Sequence, residues 1–111
     1  MYKTAEDAIL TCKHHDGFAL FHSECDKYNS VDATPFGRDI IKEIADACAR
    51  HGMKLGLYYS QDLGWHEPNG GTPAFDTKNL GRVSWGNDWD FPDRSKKDFG
   101  RYFEQKVIPQ I

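Results

Sequence analysis

Apolar and polar positions alternate along this chain in four distinguishable stretches. Residues 8–13 form a short, nearly continuous apolar run with β-favouring Ile9 and Thr11, which predicts a strand covered on both faces. Residues 14–37 lose all periodicity around Gly17, Asn29, Asp32, Pro35 and Gly37 and read as an irregular connection, with Ala19-Leu20-Phe21 as a brief extended piece. A helix follows over 38–51. Ile40, Ile44 and Cys48 recur at i, i+4, i+8, with Ile41, Ala45 and Ala47 widening the stripe and Lys42, Glu43, Asp46 and Arg50 opposite. Asp39 suits the positive end of that helix, and His51-Gly52 its stop. Residues 53–60 predict a second strand. A long connection containing a helix makes the strands parallel, a βαβ unit that is right-handed by the general rule.

Residues 61–92 form a long loop rich in glycine and proline, with Trp65, Trp85 and Trp89 among them. A second helical pattern spans 94–108, with Phe99, Phe103 and Val107 at i, i+4, i+8 and Tyr102 beside them; Pro109 ends it or lies in its last turn. Two parallel strands and two helices cannot cover one another's apolar faces. The fold class expected is therefore α/β: a partial (β/α)8 TIM-like barrel, roughly two consecutive β/α units with long βα loops, with residues 1–111 as a section truncated at both ends.

Composition narrows the function classes. A formal net charge of −3 over 111 residues supplies no basic field for nucleic acid. No apolar run approaches the roughly 20 residues that span a bilayer, so neither nucleic acid nor membrane is an expected partner. The three cysteines lack CxxC spacing; Cys12 and Cys48 read as small buried hydrophobes. The aromatics (7 Phe, 5 Tyr, 3 Trp) concentrate in loops, where they serve equally as core anchors and as walls of sugar sites.

The densest chemistry lies at the end of the first strand, in Lys13-His14-His15-Asp16-Gly17-Phe18. Buried imidazoles cost free energy unless satisfied, and strand C-termini are where parallel α/β folds place their sites. Against this stands the plainer reading of a core histidine satisfied by a backbone carbonyl. A metal site is a further option, although adjacent histidines chelate less well than HxH or HxxxH. Neutral imidazoles exchanging hydrogen bonds with sugar hydroxyls fit better. Successive strand residues face opposite ways, so both imidazoles serve one ligand only if the strand bends or ends between them, which Gly17 eases. In the second strand Leu55, Leu57 and Tyr59 share one face, and Gly56 and Tyr58 the other. Tyr58, partner of the small Gly56, is the ring expected on the site side. Trp65-His66 could wall the pocket or anchor the loop. Arg38 is expected to start the helix and to pair with a carboxylate elsewhere in the barrel.

The stretch Thr11-Cys12-Lys13-His14-His15-Asp16-Gly17-Phe18 resembles the α-L-fucosidases of glycoside hydrolase family 29. So do Tyr28-Asn29-Ser30-Val31, Gly37-Arg38-Asp39-Ile40-Ile41 and Lys54-Leu55-Gly56-Leu57-Tyr58-Tyr59-Ser60. The resemblance implies a (β/α)8-like catalytic domain that removes terminal α-L-fucose from glycoconjugates with retention. It implies that His14 and His15 hold fucose hydroxyls and that Tyr58 lines the same pocket; Trp65, read from its place after the second strand as a wall of that pocket, is expected to join them as a substrate-binding residue. The partner implied is a fucosylated oligosaccharide or glycoconjugate, with no metal or other cofactor, in a secreted, periplasmic or lysosomal setting. The resemblance places the nucleophilic aspartate on a strand C-terminal to Ile111, with the acid/base beyond it, so the 111 residues alone are expected to be inactive. Asp16, Asp62, Glu67, Asp88 and Asp90 all fall in loops, and catalysis is assigned to none of them. The alternatives are a non-catalytic carbohydrate-binding barrel relative and a metal-dependent barrel hydrolase.

Overall fold

The structure, a computed structural model, describes residues 6–70 and 90–111. Strand β1 (Asp7–Lys13) and strand β2 (Lys54–Tyr59) lie side by side in parallel, joined through helix α1 (Ile40–Arg50). This is the βαβ order that the hydrophobic pattern predicts. Ile9, Thr11, Gly56 and Tyr58 occupy one sheet face. Ala8, Leu10, Leu55, Leu57 and Tyr59 occupy the other, with Ile9 83% exposed on the first.

Helix α1 owes its limits to its end residues. The Asp39 carboxylate accepts the Lys42 N–H (2.8 Å) as N-cap. It also accepts the His22 N–H (2.9 Å), fastening the preceding loop to the helix start. At the other end Gly52 takes φ +64°, so that Met53 N–H reaches Cys48 C=O (2.9 Å) and Gly52 N–H reaches Ala49 C=O (3.3 Å). That pair of bonds is a Schellman motif, and it turns the chain directly into β2. Ile41 and Cys48 are buried on the inward stripe.

Arg38 departs from expectation. Its guanidinium pairs locally with Glu43 (3.1 Å) and lies over the Phe36 ring (4.3 Å). Both partners lie within five residues of Arg38 in the sequence, at the start of the helix.

The last segment is not one regular helix over 94–108. A single 3-10 turn (Arg94–Lys96) precedes α2 (Phe99–Tyr102), a π-turn (Phe103–Val107) and α3 (Ile108–Gln110), which carries Pro109 in its last turn. Ile108 N–H bonds to Phe103 C=O, five residues back. The widened turn brings Val107 into line with Tyr102, and these two are buried while Phe99 and Phe103 are only half-buried. The buried pair at spacing five thus replaces the expected stripe at spacing four. Tyr59 Oη donates to Gln110 Oε1 (2.5 Å), tying this segment to the end of β2. Among the described residues, no helix is long and apolar enough to cross a membrane.

Candidate functional site

The site grows from an irregularity at the end of β1. Pairing runs regularly from Asp7↔Lys54 to Thr11↔Tyr58, then passes over Cys12 to Lys13↔Tyr59. One extra residue in a strand is a β-bulge, and it reverses which face each following side chain takes. Lys13 therefore shares the face of Tyr59, with Nζ 4.6 Å from that ring's centroid. His14 departs toward the face of Tyr58, the two ring centroids being 6.0 Å apart.

The strand ends there, and a tight turn follows in which Gly17 N–H donates to His14 C=O (3.0 Å) with Gly17 at φ +83°. A side chain at that φ would be strained, so the glycine is what permits the turn. The His14 and His15 rings are left 4.1 Å apart, centroid to centroid, tilted by 37°. Trp65 N–H donates to His15 C=O (2.7 Å), attaching the loop after β2 to the same turn. The structure thus brings His14, His15 and Tyr58 together and joins Trp65 to them through its backbone.

This cluster is open. Tyr58 is 48% exposed, His14 is exposed and His15 half-buried. Burial, then the neighbouring His14 and the Lys13 ammonium, lowers the pKa of His15 below the usual imidazole value. His15 is accordingly held neutral near pH 7, offering one donor and one acceptor nitrogen. Imidazoles beside a tyrosine ring and hydroxyl suit a ligand that carries hydroxyls and an apolar edge.

Behind the turn lies a cavity of about 150 Å³, walled by Lys13, Asp26, Glu67, Tyr102 and Lys106 among others. Lys106 Nζ pairs with Asp26 (2.9 Å) and with Glu67 (2.7 Å), so the last helical segment grips the loops after both strands. Burial pushes the Tyr102 hydroxyl up to about 12, which keeps it protonated. Above the cavity Asn29, fully buried, donates to Asp26 C=O and the Asp32 carboxylate and accepts the N–H groups of Val31 and Asp32. It is the scaffold of the first loop. Phe18 packs edge-on against Tyr28 within it (5.0 Å).

Sequence reasoning gave no individual role to Lys13, Asn29 or Lys106. For Lys13 the available signal was a charge inside an otherwise apolar strand end. For Asn29 it was a polar residue at the heart of a long loop. Lys106, on the polar side of a helical pattern, gave none. Among the loop acids, Glu67 is engaged by Lys106. Trp85, Asp88 and Trp89 lie outside the described residues. Among the described residues, no group of three or more His, Cys, Asp or Glu side chains is placed to hold a metal ion.

Comparison with known proteins shows what the chain is similar to. The sequence family described as Alpha-L-fucosidase matches residues 5–111. Plasma alpha-L-fucosidase of Homo sapiens is 42% identical over 66 residues, covering 58% of this chain and 14% of that protein. Alpha-L-fucosidase 1 of Arabidopsis thaliana is 46% identical over 55 residues, covering 47% of this chain and 11% of that protein. Among solved structures, alpha-L-fucosidase AlfC from Lactobacillus casei superposes with a TM-score of 0.83 at 52% identity, over 95% of this chain and 32% of that one. The enzyme from Vibrio sp. strain EJY3 gives 0.77 at 36% identity, over 95% of this chain and 16% of that one. The chain therefore spans about a third or less of its solved relatives. AlfC has been solved with α-L-fucose product and with Fuca(1,6)GlcNAc.

Proposed function

The chain belongs to the alpha-L-fucosidase family, and on that premise we propose that residues 1–111 are a section of the catalytic (β/α)8 barrel of a retaining fucoside hydrolase. The observation that carries this reading is the convergence of His14, His15 and Tyr58 on one open face at the C-terminal ends of parallel strands. In the barrel, the face of Ile9, Thr11, Gly56 and Tyr58 lines the interior, and the face of Leu10, Leu55 and Leu57 meets the surrounding helices.

The substrate is a terminal α-L-fucose on an oligosaccharide or glycoconjugate. His14 and His15 exchange hydrogen bonds with its ring hydroxyls. Tyr58 Oη supplies a further donor, and its ring, with Trp65, covers the apolar edge of the sugar. Hydrolysis with retention takes two carboxyl groups flanking the scissile bond, one attacking the anomeric carbon and one protonating the leaving oxygen. We assign both to residues beyond Ile111 and none to the loop acids of this section, which on its own binds sugar without cleaving it.

The test is turnover of 4-nitrophenyl α-L-fucopyranoside by the complete gene product, with the first-formed anomer followed by NMR. α-L-Fucose as the first product is expected. β-L-Fucose refutes retention, and sugar binding without turnover refutes the enzyme reading in favour of a carbohydrate-binding relative.

A further inference from the structure

Lys13 is a costly residue in this structure. It is 2% exposed, and among the described residues its ammonium meets Ser60 C=O (3.3 Å), Tyr102 Oη (3.4 Å) and the face of the Tyr59 ring. Among the described residues, no carboxylate is within ion-pair distance of it. Burial and the like charge of Lys106 both push its pKa down, with Asp16 and Asp26 opposing from further away. A methionine of similar length would fill the space without that penalty. An expensive group kept beside a candidate site calls for a function.

The backbone shows what the ammonium holds. Lys13 is the residue at which the ladder resumes after the bulge. Its C=O accepts the Ser60 N–H (3.0 Å), while its Nζ donates to the Ser60 C=O, so one residue grips the end of β2 from both sides. Its other edge bridges Ala19, and Cys12 C=O accepts the Leu20 N–H (2.9 Å). Were the bulge to slip, Lys13 would move to the face of Tyr58 and His14 to that of Tyr59, separating the rings now in contact.

We infer that Lys13 is a positioning residue for the imidazole pair: tied to Ser60, Tyr102 and Tyr59, it locks the bulge that sends His14 onto the face of Tyr58. It touches no substrate and acts through His14. The functional consequence rests on the proposed sugar site; the structural one does not.

The experiment compares the wild-type complete gene product with Lys13→Met and Tyr102→Phe, reading two quantities. The first is the ring-to-ring NOE between His14 and Tyr58, which needs no sugar. The second is KM and kcat for the aryl fucoside. Lys13→Met is expected to abolish the NOE and to raise KM about tenfold or more, with kcat changed less. An NOE retained together with a KM within about twofold of wild type overturns the inference. A lost NOE in a protein whose wild type binds no fucoside upholds the positioning role and refutes the sugar site instead. If Lys13→Met fails to fold, Tyr102→Phe decides, because it removes one acceptor and keeps the charge. A weakened NOE then supports the inference, and an NOE and KM equal to wild type overturn it.

Discussion

Replacing Lys106 with methionine keeps the aliphatic stem and removes the charge that ties the last helical segment to both loops. The two carboxylates it holds are about four-fifths buried, with side-chain exposures of 20% for Asp26 and 21% for Glu67. Opening a fully buried ion pair costs about 3–5 kcal/mol, and an exposed one about 0–1. Exposures near a fifth, and the Tyr28 N–H that Asp26 keeps (3.0 Å), place Lys106→Met between them, at about 2–3 kcal/mol. Part of this is new repulsion, since oxygens bonded to one ammonium are no further apart than those two bonds laid end to end.

The pH dependence identifies the cause. The Asp26 carboxyl is held below its ordinary value. Burial is the largest influence and opposes this, but the Lys106 hydrogen bond, the Tyr28 N–H and the charges of Lys106 and Lys13 together outweigh it. A lowered folded pKa contributes stability above the unfolded value, lost as pH falls through the folded one. Lys106 itself is raised, against burial, by Glu67 and Asp26, so its contribution is complete below the ordinary lysine value and lost only on strong alkalinisation. Urea unfolding of wild type and Lys106→Met should therefore differ most near neutrality and converge below about pH 4. A difference under about 0.5 kcal/mol at pH 7, or one that persists unchanged at pH 3, would refute the assignment.

Three further outcomes follow from single contacts. Gly17→Ala should cost about 1–2 kcal/mol through the +83° φ alone, since nothing lies within 4 Å of the added methyl, and Gly17→Asn should cost less. Denaturation midpoints check both, and equal costs for the two would sink the explanation. Asn29→Asp should destabilise more than Asn29→Ser, because it turns a second acceptor toward Asp26 C=O and the Asp32 carboxylate; the difference should shrink in acid, which urea unfolding at pH 4 and 7 reads directly. Tyr58→Phe should leave stability within about 0.5 kcal/mol, since the ring is 48% exposed, yet raise KM for the aryl fucoside; an unchanged KM removes its hydroxyl from the site.

Much of the frame was legible because local signals agreed with tertiary demands. Ile9 and Thr11 marked β1, Asp39 and Gly52 bounded α1, and the length of the connection made the pair parallel. The irregular parts were not legible, for physical reasons. A bulge adds one residue to an apolar run without altering its composition, so Cys12 gave no warning that side-chain parity changes after it. Strict alternation left His14 and His15 on opposite faces, whereas the observed chain ends the strand before both. In the last segment Phe99, Phe103 and Val107 fit the ordinary helical period. The π-turn selects Tyr102 and Val107 instead, a spacing that no ordinary periodicity search looks for.

The bulge also links the fold to the chemistry. From Ile9 to Thr11 the β1 side chains on the face shared with Gly56 and Tyr58 offer one hydroxyl, that of Thr11. Regular pairing would next place Lys13 there, setting an ammonium beside Tyr58 and sending His14 toward the face of Leu57 and Tyr59. The extra residue exchanges these fates. It withdraws the cation into the interior, where Ser60, Tyr102 and the Tyr59 ring receive it, and delivers His14 to the open face beside Tyr58. A buried ammonium close behind the imidazoles also helps keep His15 neutral. Neutral rings are what hydroxyl recognition needs, because only they can accept a hydrogen bond as well as give one. The bulge that turns His14 toward Tyr58 thus also buries the lysine whose charge adds to burial and to His14 in keeping His15 neutral.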